Sequence, residues 1–218
     1  MKVLIIGDSY GLPRFAQNSE FVELSYEECY PEKLRQYLRV FLKSDVLLQN
    51  RCRHANVSLG LVRGEANEIM FLQPNYVVLQ LGIVDLWPSE GRAVSPLYAE
   101  LKGNDPWVSL DDFANNIRRF VQFCLVEKSK VILLDIPPVC SELLHSYPQV
   151  ADRINEYNSR LYAIANTYEA VTLIGLNKLI TYLPEEKAMG SDGIHPTSFV
   201  SDLLAKNIAE KILKIEKG

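Results

Sequence analysis

The chain contains the uninterrupted apolar run Val131-Ile132-Leu133-Leu134. A strand that is apolar on both of its faces is buried on both, and helices packed against the two sides of a parallel sheet produce that burial. We interpret the run as part of a strand at residues 131–136. It predicts an α/β protein.

Other short apolar runs alternate along the chain with longer amphipathic segments. We predict four further strands, at residues 3–6, 46–49, 76–81 and 171–174. Apolar residues spaced by three and four predict helices at residues 31–42, 62–72, 110–127, 150–168 and 198–215. The alternation predicts a three-layer α/β/α sandwich with a flavodoxin-like, doubly wound, five-stranded parallel sheet. In that fold, functional residues lie at the carboxyl ends of the strands.

The composition is that of a globular protein with one domain, which we place at residues 1–218. The 27 acidic and 23 basic residues give a net charge of −4, and the basic residues are scattered. We therefore expect no nucleic acid and no membrane as partner. The sequence shows no export signal, which predicts a cytoplasmic protein. Its four cysteines lack zinc-ligand spacing, so we expect no metal and no cofactor.

Two polar segments stand where the predicted fold brings strand ends together. Ser9 follows the first strand, and Asp192-Gly193-Ile194-His195 precedes the last helix. A serine hydroxyl is a weak nucleophile that needs a base within hydrogen-bond reach and a group that orients the base. We predict Ser9 as the nucleophile, His195 as the base and Asp192 as the residue that orients the imidazole.

The same segments resemble the conserved blocks of the SGNH (GDSL-type) hydrolases, a family of serine esterases, lipases and carbohydrate deacetylases. Gly7-Asp8-Ser9 is similar to the first block, residues 79–85 to the third and residues 192–196 to the fifth. The resemblance spans essentially the whole chain. It implies the three-layer fold and the same triad of Ser9, Asp192 and His195. The third block also resembles that of members associated with surface-polysaccharide synthesis.

The resemblance also implies an oxyanion hole, and the chain departs from the family there. Ser9 would contribute its backbone amide, and Ala55 stands where the second block has a glycine whose amide donates; Gly60 is a less favoured alternative. Val84 replaces the third-block asparagine, whose side chain donates. Three nearby residues could replace the missing donor: Asn50, Asn56 and His54. Each has a structural alternative, since the asparagines can instead form turns and the histidine can instead be an exposed loop residue.

Two further residues are candidates for binding the substrate. The guanidinium of Arg14 can grip a carboxylate or phosphate, or it can form an ion pair within the protein. Trp87 can supply an apolar wall or a platform for a sugar, or it can pack in the core. The connection at residues 88–107 is long enough to be a lid or a partner surface.

These residues together predict a serine esterase that removes a short acyl group, acetyl in the simplest case, from a small or carbohydrate substrate through an acyl-Ser9 intermediate. Two alternatives remain open. A sugar hydroxyl that replaces water would make the protein an O-acyltransferase, and loss of the donor at Val84 would leave a catalytically impaired carbohydrate-binding protein.

Overall fold

A computed structural model describes residues 1–88 and 107–217. Its strands, in chain order, are β1 Lys2–Gly7, β2 Arg14–Phe15, β3 Val22–Leu24, β4 Leu47–Asn50, β5 Tyr76–Gln80, β6 Lys130–Leu134 and β7 Val171–Ile174. Five of them form one sheet in the order β4-β1-β5-β6-β7, and every neighbouring pair is parallel. The α/β fold with a five-stranded parallel sheet is therefore confirmed.

Helices cover both faces of this sheet. They are α1 Tyr30–Leu42, α2 Ser58–Gly60, α3 Ala66–Leu72, α4 Ile83–Leu86, α5 Leu110–Val126, α6 Ser141–Ser146, α7 Gln149–Thr167, α8 Leu176–Ile180, α9 Glu185–Ala188 and α10 Ser198–Lys217. A π-helical segment, Leu61–Glu65, joins α2 to α3. Of these helices, none is both long enough and apolar enough to cross a membrane, within the part of the chain that the structure describes.

Each central strand contributes to two separate cores. In β6, Val131 and Leu133 pack in the core that contains residues of α5 and α7, whereas Ile132 and Leu134 pack in the core that contains residues of α1 and α10. Alternate side chains of a strand point to opposite faces of the sheet. The apolar run is thus buried on both sides.

The sequence missed elements that are too short to show a periodic pattern. The antiparallel hairpin of β2 and β3 has strands of two and three residues. The predicted helix at 62–72 starts earlier and is interrupted by the π-helical segment. The predicted strand at 131–136 ends at Leu134, and the carboxylate of the next residue, Asp135, accepts a hydrogen bond from the Asn177 amide.

Candidate active site

Ser9 lies on a tight turn directly after β1. Asp8 caps this turn, because its Oδ1 accepts a hydrogen bond from the Tyr10 amide at 3.0 Å. Its Oδ2 accepts from Nε2 of Gln80 at 3.1 Å, which links the turn to β5. Burial raises the pKa of Asp8 to about 6, although the Tyr10 amide, the charge of His195 and the Gln80 amide act in the opposite direction. The turn that carries Ser9 is therefore fixed by hydrogen bonds among buried polar groups.

A chain of short hydrogen bonds joins Ser9, His195 and Asp192. Ser9 Oγ is 2.6 Å from His195 Nε2, and His195 Nδ1 is 2.5 Å from Asp192 Oδ2. The other carboxylate oxygen, Oδ1, accepts from the amides of Ile194 and His195 at 2.9 Å each. With a carboxylate at Nδ1, the neutral imidazole carries its proton on Nδ1, and Nε2 is left as the acceptor for the Ser9 hydroxyl.

Asp192 is ionised in this arrangement. Burial alone would raise its pKa, but the hydrogen bond from His195, the charge of that imidazole and the two amides together hold the pKa well below its usual value. A charged Asp192 can stabilise the imidazolium that forms when His195 takes a proton.

The loop around His195 is fixed by close packing. The ring of Tyr10 packs edge-on against the imidazole of His195, with ring centroids 5.3 Å apart. The Tyr10 hydroxyl donates a hydrogen bond to the Ile194 carbonyl at 2.8 Å. Gly193 has a φ of +70°, and a Cβ there would lie 2.2 Å from Sγ of Cys140. Only glycine fits this position without strain.

The backbone at Ala55 resembles that of a glycine. Its φ of +52° lies in the left-handed region. The neighbouring Arg53 amide and the Asn56 side-chain amide both donate to the Gly7 carbonyl, at 3.1 and 3.0 Å, so the segment is tied to the end of β1. Among the described residues, the backbone amides of Ser9 and Ala55 donate to no protein group. The Gly60 amide, in contrast, donates to Val57.

The asparagines predicted as replacement donors are used within the fold. Both hydrogens of the Asn56 side-chain amide are committed, to the Gly7 carbonyl and to Glu65 Oε1 at 2.9 Å. Asn56 is therefore not free to stabilise an oxyanion, which corrects that prediction. Asn50 donates to the Gly11 carbonyl and accepts from the Cys52 amide, both at 2.9 Å, as the turn alternative expects. His54 is exposed on its turn.

Val84, the position of the missing third-block donor, lies in the first turn of α4. It is half-buried and packs against the core on that side of the sheet.

Arg14 and Trp87 are both engaged within the protein. Arg14 Nε is 2.7 Å from Glu23 Oε2, Nη2 donates to the Pro196 carbonyl, and Nη1 is buried without a partner in the described residues. Trp87 is 7% exposed and its ring packs against Tyr147 at a centroid distance of 5.6 Å. Arg14 thus forms the ion pair and Trp87 the packing contact that were the alternatives to substrate binding, and a contact of either residue with a substrate stays a prediction.

Sequence reasoning assigned no role to Tyr10, Glu23 or Ser58, which support the site. Asp85, after β5, accepts hydrogen bonds from Ser58 through its amide at 3.1 Å and its hydroxyl at 2.7 Å. Asp85 is completely buried, and burial raises its pKa to about 7 despite these bonds. Asp85 anchors α2 through these two hydrogen bonds. Tyr10 directly follows Ser9 in the chain, whereas Glu23 carries no sequence signal, since the Ser191 amide that it binds lies 168 positions away.

The connection proposed as a lid, residues 88–107, lies outside the described residues except at its two ends. Within the described ranges, no three or more His, Cys, Asp or Glu side chains are grouped so that they could hold a metal ion.

Comparison with known proteins identifies this fold among solved structures. No family model matches the chain, and no curated protein matches it. An acetylxylan esterase from Geobacillus stearothermophilus is similar over 97% of this chain and 93% of its own, with a TM-score of 0.72 and 18% identity. A lipase/acylhydrolase from Enterococcus faecalis is similar over 97% of this chain and 94% of its own, with a TM-score of 0.68 and 19% identity.

A third similar structure is a lipolytic protein of the G-D-S-L family from Desulfitobacterium hafniense DCB-2. It covers 96% of this chain and 98% of its own, with a TM-score of 0.67 and 15% identity. At these identities the likeness establishes a shared three-layer fold over nearly the full length of both chains.

Proposed function

We propose that the protein is a serine ester hydrolase that uses Ser9, His195 and Asp192. The observation that carries the proposal is the chain of hydrogen bonds from Ser9 Oγ through the imidazole to Asp192 Oδ2, at 2.6 and 2.5 Å. A nucleophile, a base and an orienting carboxylate in this order are what acyl transfer requires.

In the first half of the reaction, Ser9 Oγ attacks the acyl carbonyl carbon while Nε2 of His195 takes the hydroxyl proton. The resulting imidazolium returns this proton to the leaving alcohol, and the acyl group remains on Ser9. In the second half, His195 deprotonates a water molecule that attacks the acyl-Ser9 carbonyl. The carboxylic acid leaves, and the proton returns to Ser9 Oγ.

The oxyanion of each tetrahedral intermediate accepts hydrogen bonds from the amides of Ser9 and Ala55. Support comes from two features of this segment, its anchoring to the Gly7 carbonyl and the absence of any protein acceptor for either amide among the described residues. Val84 supplies no third donor. Loss of one donor typically costs about 10²–10³ in rate, so we expect a slow enzyme.

The substrate we propose is a short-chain ester, in the simplest case an acetyl ester, of a small molecule or carbohydrate. The similar structures include an acetylxylan esterase, a protein whose name gives it an acetylated sugar polymer as substrate. A likeness of fold makes this class of substrate the first to test.

The test is release of p-nitrophenol from p-nitrophenyl esters of acetate, butyrate and octanoate, followed by acetate release from acetylated xylo-oligosaccharides. We expect hydrolysis that is fastest for acetate and is lost in Ser9→Ala. Hydrolysis that persists unchanged in Ser9→Ala would contradict the proposal. Transfer of the acyl group to an added sugar, in place of water, would identify an acyltransferase.

A further inference from the structure

The β2–β3 hairpin lies against the loop that carries both Asp192 and His195. We name this loop, residues 189–196, the acid–base loop. It is closed on itself, because Met189 and Pro196 form an antiparallel bridge and the Gly190 amide donates to the His195 carbonyl at 2.7 Å. The hairpin therefore contacts a preformed unit.

One ion pair in the hairpin reaches both ends of the acid–base loop. Glu23 Oε1 accepts a hydrogen bond from the Ser191 amide at 2.6 Å, and Ser191 directly precedes Asp192. Glu23 Oε2 accepts from Arg14 Nε at 2.7 Å. Arg14 then donates through Nη2 to the carbonyl of Pro196, which directly follows His195. The ion pair thus connects Ser191 and Pro196, the residues that directly precede Asp192 and directly follow His195.

The loop backbone rests directly on this ion pair. A Cβ at Gly190 would lie 2.6 Å from Glu23 Oε2 and 2.8 Å from Arg14 Nη2, so a side chain there would displace the charged groups. A further contact comes from the Gln17 amide, which donates to the Ser191 hydroxyl at 2.8 Å. The side chains of Arg14 and Glu23 are only 10% and 18% exposed.

The pair is charged, and the loop supplies a hydrogen-bond partner to each of its members, although Arg14 Nη1 has none among the described residues. Burial alone would raise the pKa of Glu23, but the Ser191 amide and Arg14 hold it below its usual value. Hydrogen bonds between charged groups in partly buried settings are short and directional, so they fix geometry as well as contribute energy. An ion pair placed in this way limits the freedom of the loop that it touches.

We infer that the Arg14–Glu23 ion pair is a positioning device that holds His195 in line with Ser9. The inference rests on the proposed function of the triad. Proton transfer depends on the 2.6 Å separation of Ser9 Oγ and His195 Nε2, and a misplacement of about 1 Å in an active site can cost about 10²-fold in rate. Arg14 and Glu23 act through the loop, so their loss lowers kcat more than it changes KM.

The experiment compares Glu23→Gln, Arg14→Met and the double variant with a matched pair elsewhere. Arg35 and Glu32 form a two-point ion pair in α1 that does not touch the acid–base loop. Glu32→Gln and Arg35→Met therefore control for the loss of a partly buried charge pair. The readouts are kcat and KM for p-nitrophenyl acetate, the melting temperature, and the low-field proton resonance of the bond between His195 Nδ1 and Asp192.

We expect kcat to fall about tenfold or more in each hairpin variant, with KM within about twofold of wild type. We expect the double variant to be no slower than the slower single one, because the two residues act as a unit. The low-field resonance broadens or disappears, whereas both control variants keep it and keep wild-type kcat. Glu23→Gln preserves the side-chain shape, so it carries the test if Arg14→Met does not fold.

Two results overturn the inference while the proposed function stands. One is a kcat within twofold of wild type in the folded hairpin variants, and the other is an equal loss in the control variants. If wild type lacks Ser9-dependent hydrolysis, the proposed function fails, and the resonance alone decides the positioning role. Its loss in Glu23→Gln but not in Glu32→Gln supports that role, and its retention in both rejects it.

Discussion

Ser9 Oγ and His195 Nε2 lie 2.6 Å apart, although 186 positions separate the two residues in the chain. The contact exists because β1, an inner strand of the sheet, delivers Ser9 at its carboxyl end, while the acid–base loop folds over the same edge just before α10. Each of the two segments is only a weak sequence motif by itself, but the fold joins them into one hydrogen-bonded site.

Removal of either end of this contact is expected to abolish hydrolysis without unfolding the protein. Ser9→Ala and His195→Ala should each lower kcat by about 10³-fold or more, because the nucleophile or its base is lost. The measurement is p-nitrophenyl acetate hydrolysis, with circular dichroism to establish folding. His145→Ala is the matched control, since His145 is an exposed histidine of α6. A loss of activity explained by unfolding would contradict the assignment.

A donor restored at position 84 is expected to accelerate the reaction. Val84→Asn places a side-chain amide where the family resemblance expects one, and kcat should rise by about tenfold or more, since one oxyanion donor is typically worth about 10²–10³. Val84→Ala removes volume without adding a donor and should give no gain. An unchanged kcat in Val84→Asn would mean that the oxyanion is already fully satisfied.

A side chain at Gly193 is expected to destabilise the acid–base loop. Gly193→Ala combines a φ of +70° with a close approach to Sγ of Cys140, so the free energy of unfolding should fall by about 1–3 kcal/mol. Urea denaturation measures this loss. Gly64→Ala, where a Cβ meets nothing within 4 Å, is the control and should be neutral or slightly stabilising. Equal stability of the two variants would show that the loop relaxes freely.

The stability of the protein is expected to fall as the pH rises from about 4 to 7. The pKa of Asp85 is about 7 in the folded state, against 3.8 for an ordinary aspartate. Between these values the folded state holds a proton that the unfolded chain has released, so the free energy of unfolding decreases with pH. One pKa unit corresponds to about 1.4 kcal/mol, which makes the effect a few kcal/mol.

Asp85→Asn isolates this contribution, because the amide cannot ionise while its oxygen can still accept a hydrogen bond from Ser58. Urea denaturation at pH 4, 5.5, 7 and 8 should give a flatter dependence for the variant than for wild type. Parallel curves would show that burial does not perturb Asp85. The pKa of Asp8, raised to about 6, adds a further decrease that both proteins share.

Sequence periodicity predicted the parts of the fold whose elements are long and packed on the sheet. The strand predicted at 171–174 has the observed bounds, and the helix predicted at 110–127 ends one residue early, at Val126. The β2–β3 hairpin escaped prediction because strands of two and three residues are too short to alternate. Its contacts with the acid–base loop join residues that lie 168 to 182 positions apart in the chain, so no local pattern records them.

Some residues of the candidate site could likewise be predicted from the sequence, and others could not. The proximity of Ser9, Asp192 and His195 could be predicted, since the predicted fold brings the segments that carry them to one edge of the sheet, and their catalytic roles stay predictions. The role of Asn56 could not be predicted, because an asparagine that donates to a backbone carbonyl and one that donates to a ligand look the same in sequence. Its two partners, Gly7 and Glu65, lie 49 and 9 positions away in the chain, and only the fold brings them to the Asn56 side chain.

The most direct test of an activated Ser9 is covalent labelling with a fluorophosphonate, followed by mass spectrometry of the intact protein and its peptides. Attack by Ser9 Oγ displaces fluoride and leaves a phosphonyl ester on that oxygen, while His195 takes the hydroxyl proton. We expect one adduct, on Ser9, formed rapidly in wild type and absent in Ser9→Ala and His195→Ala. No adduct on wild type, or an equal adduct on Ser9→Ala, would contradict an activated Ser9.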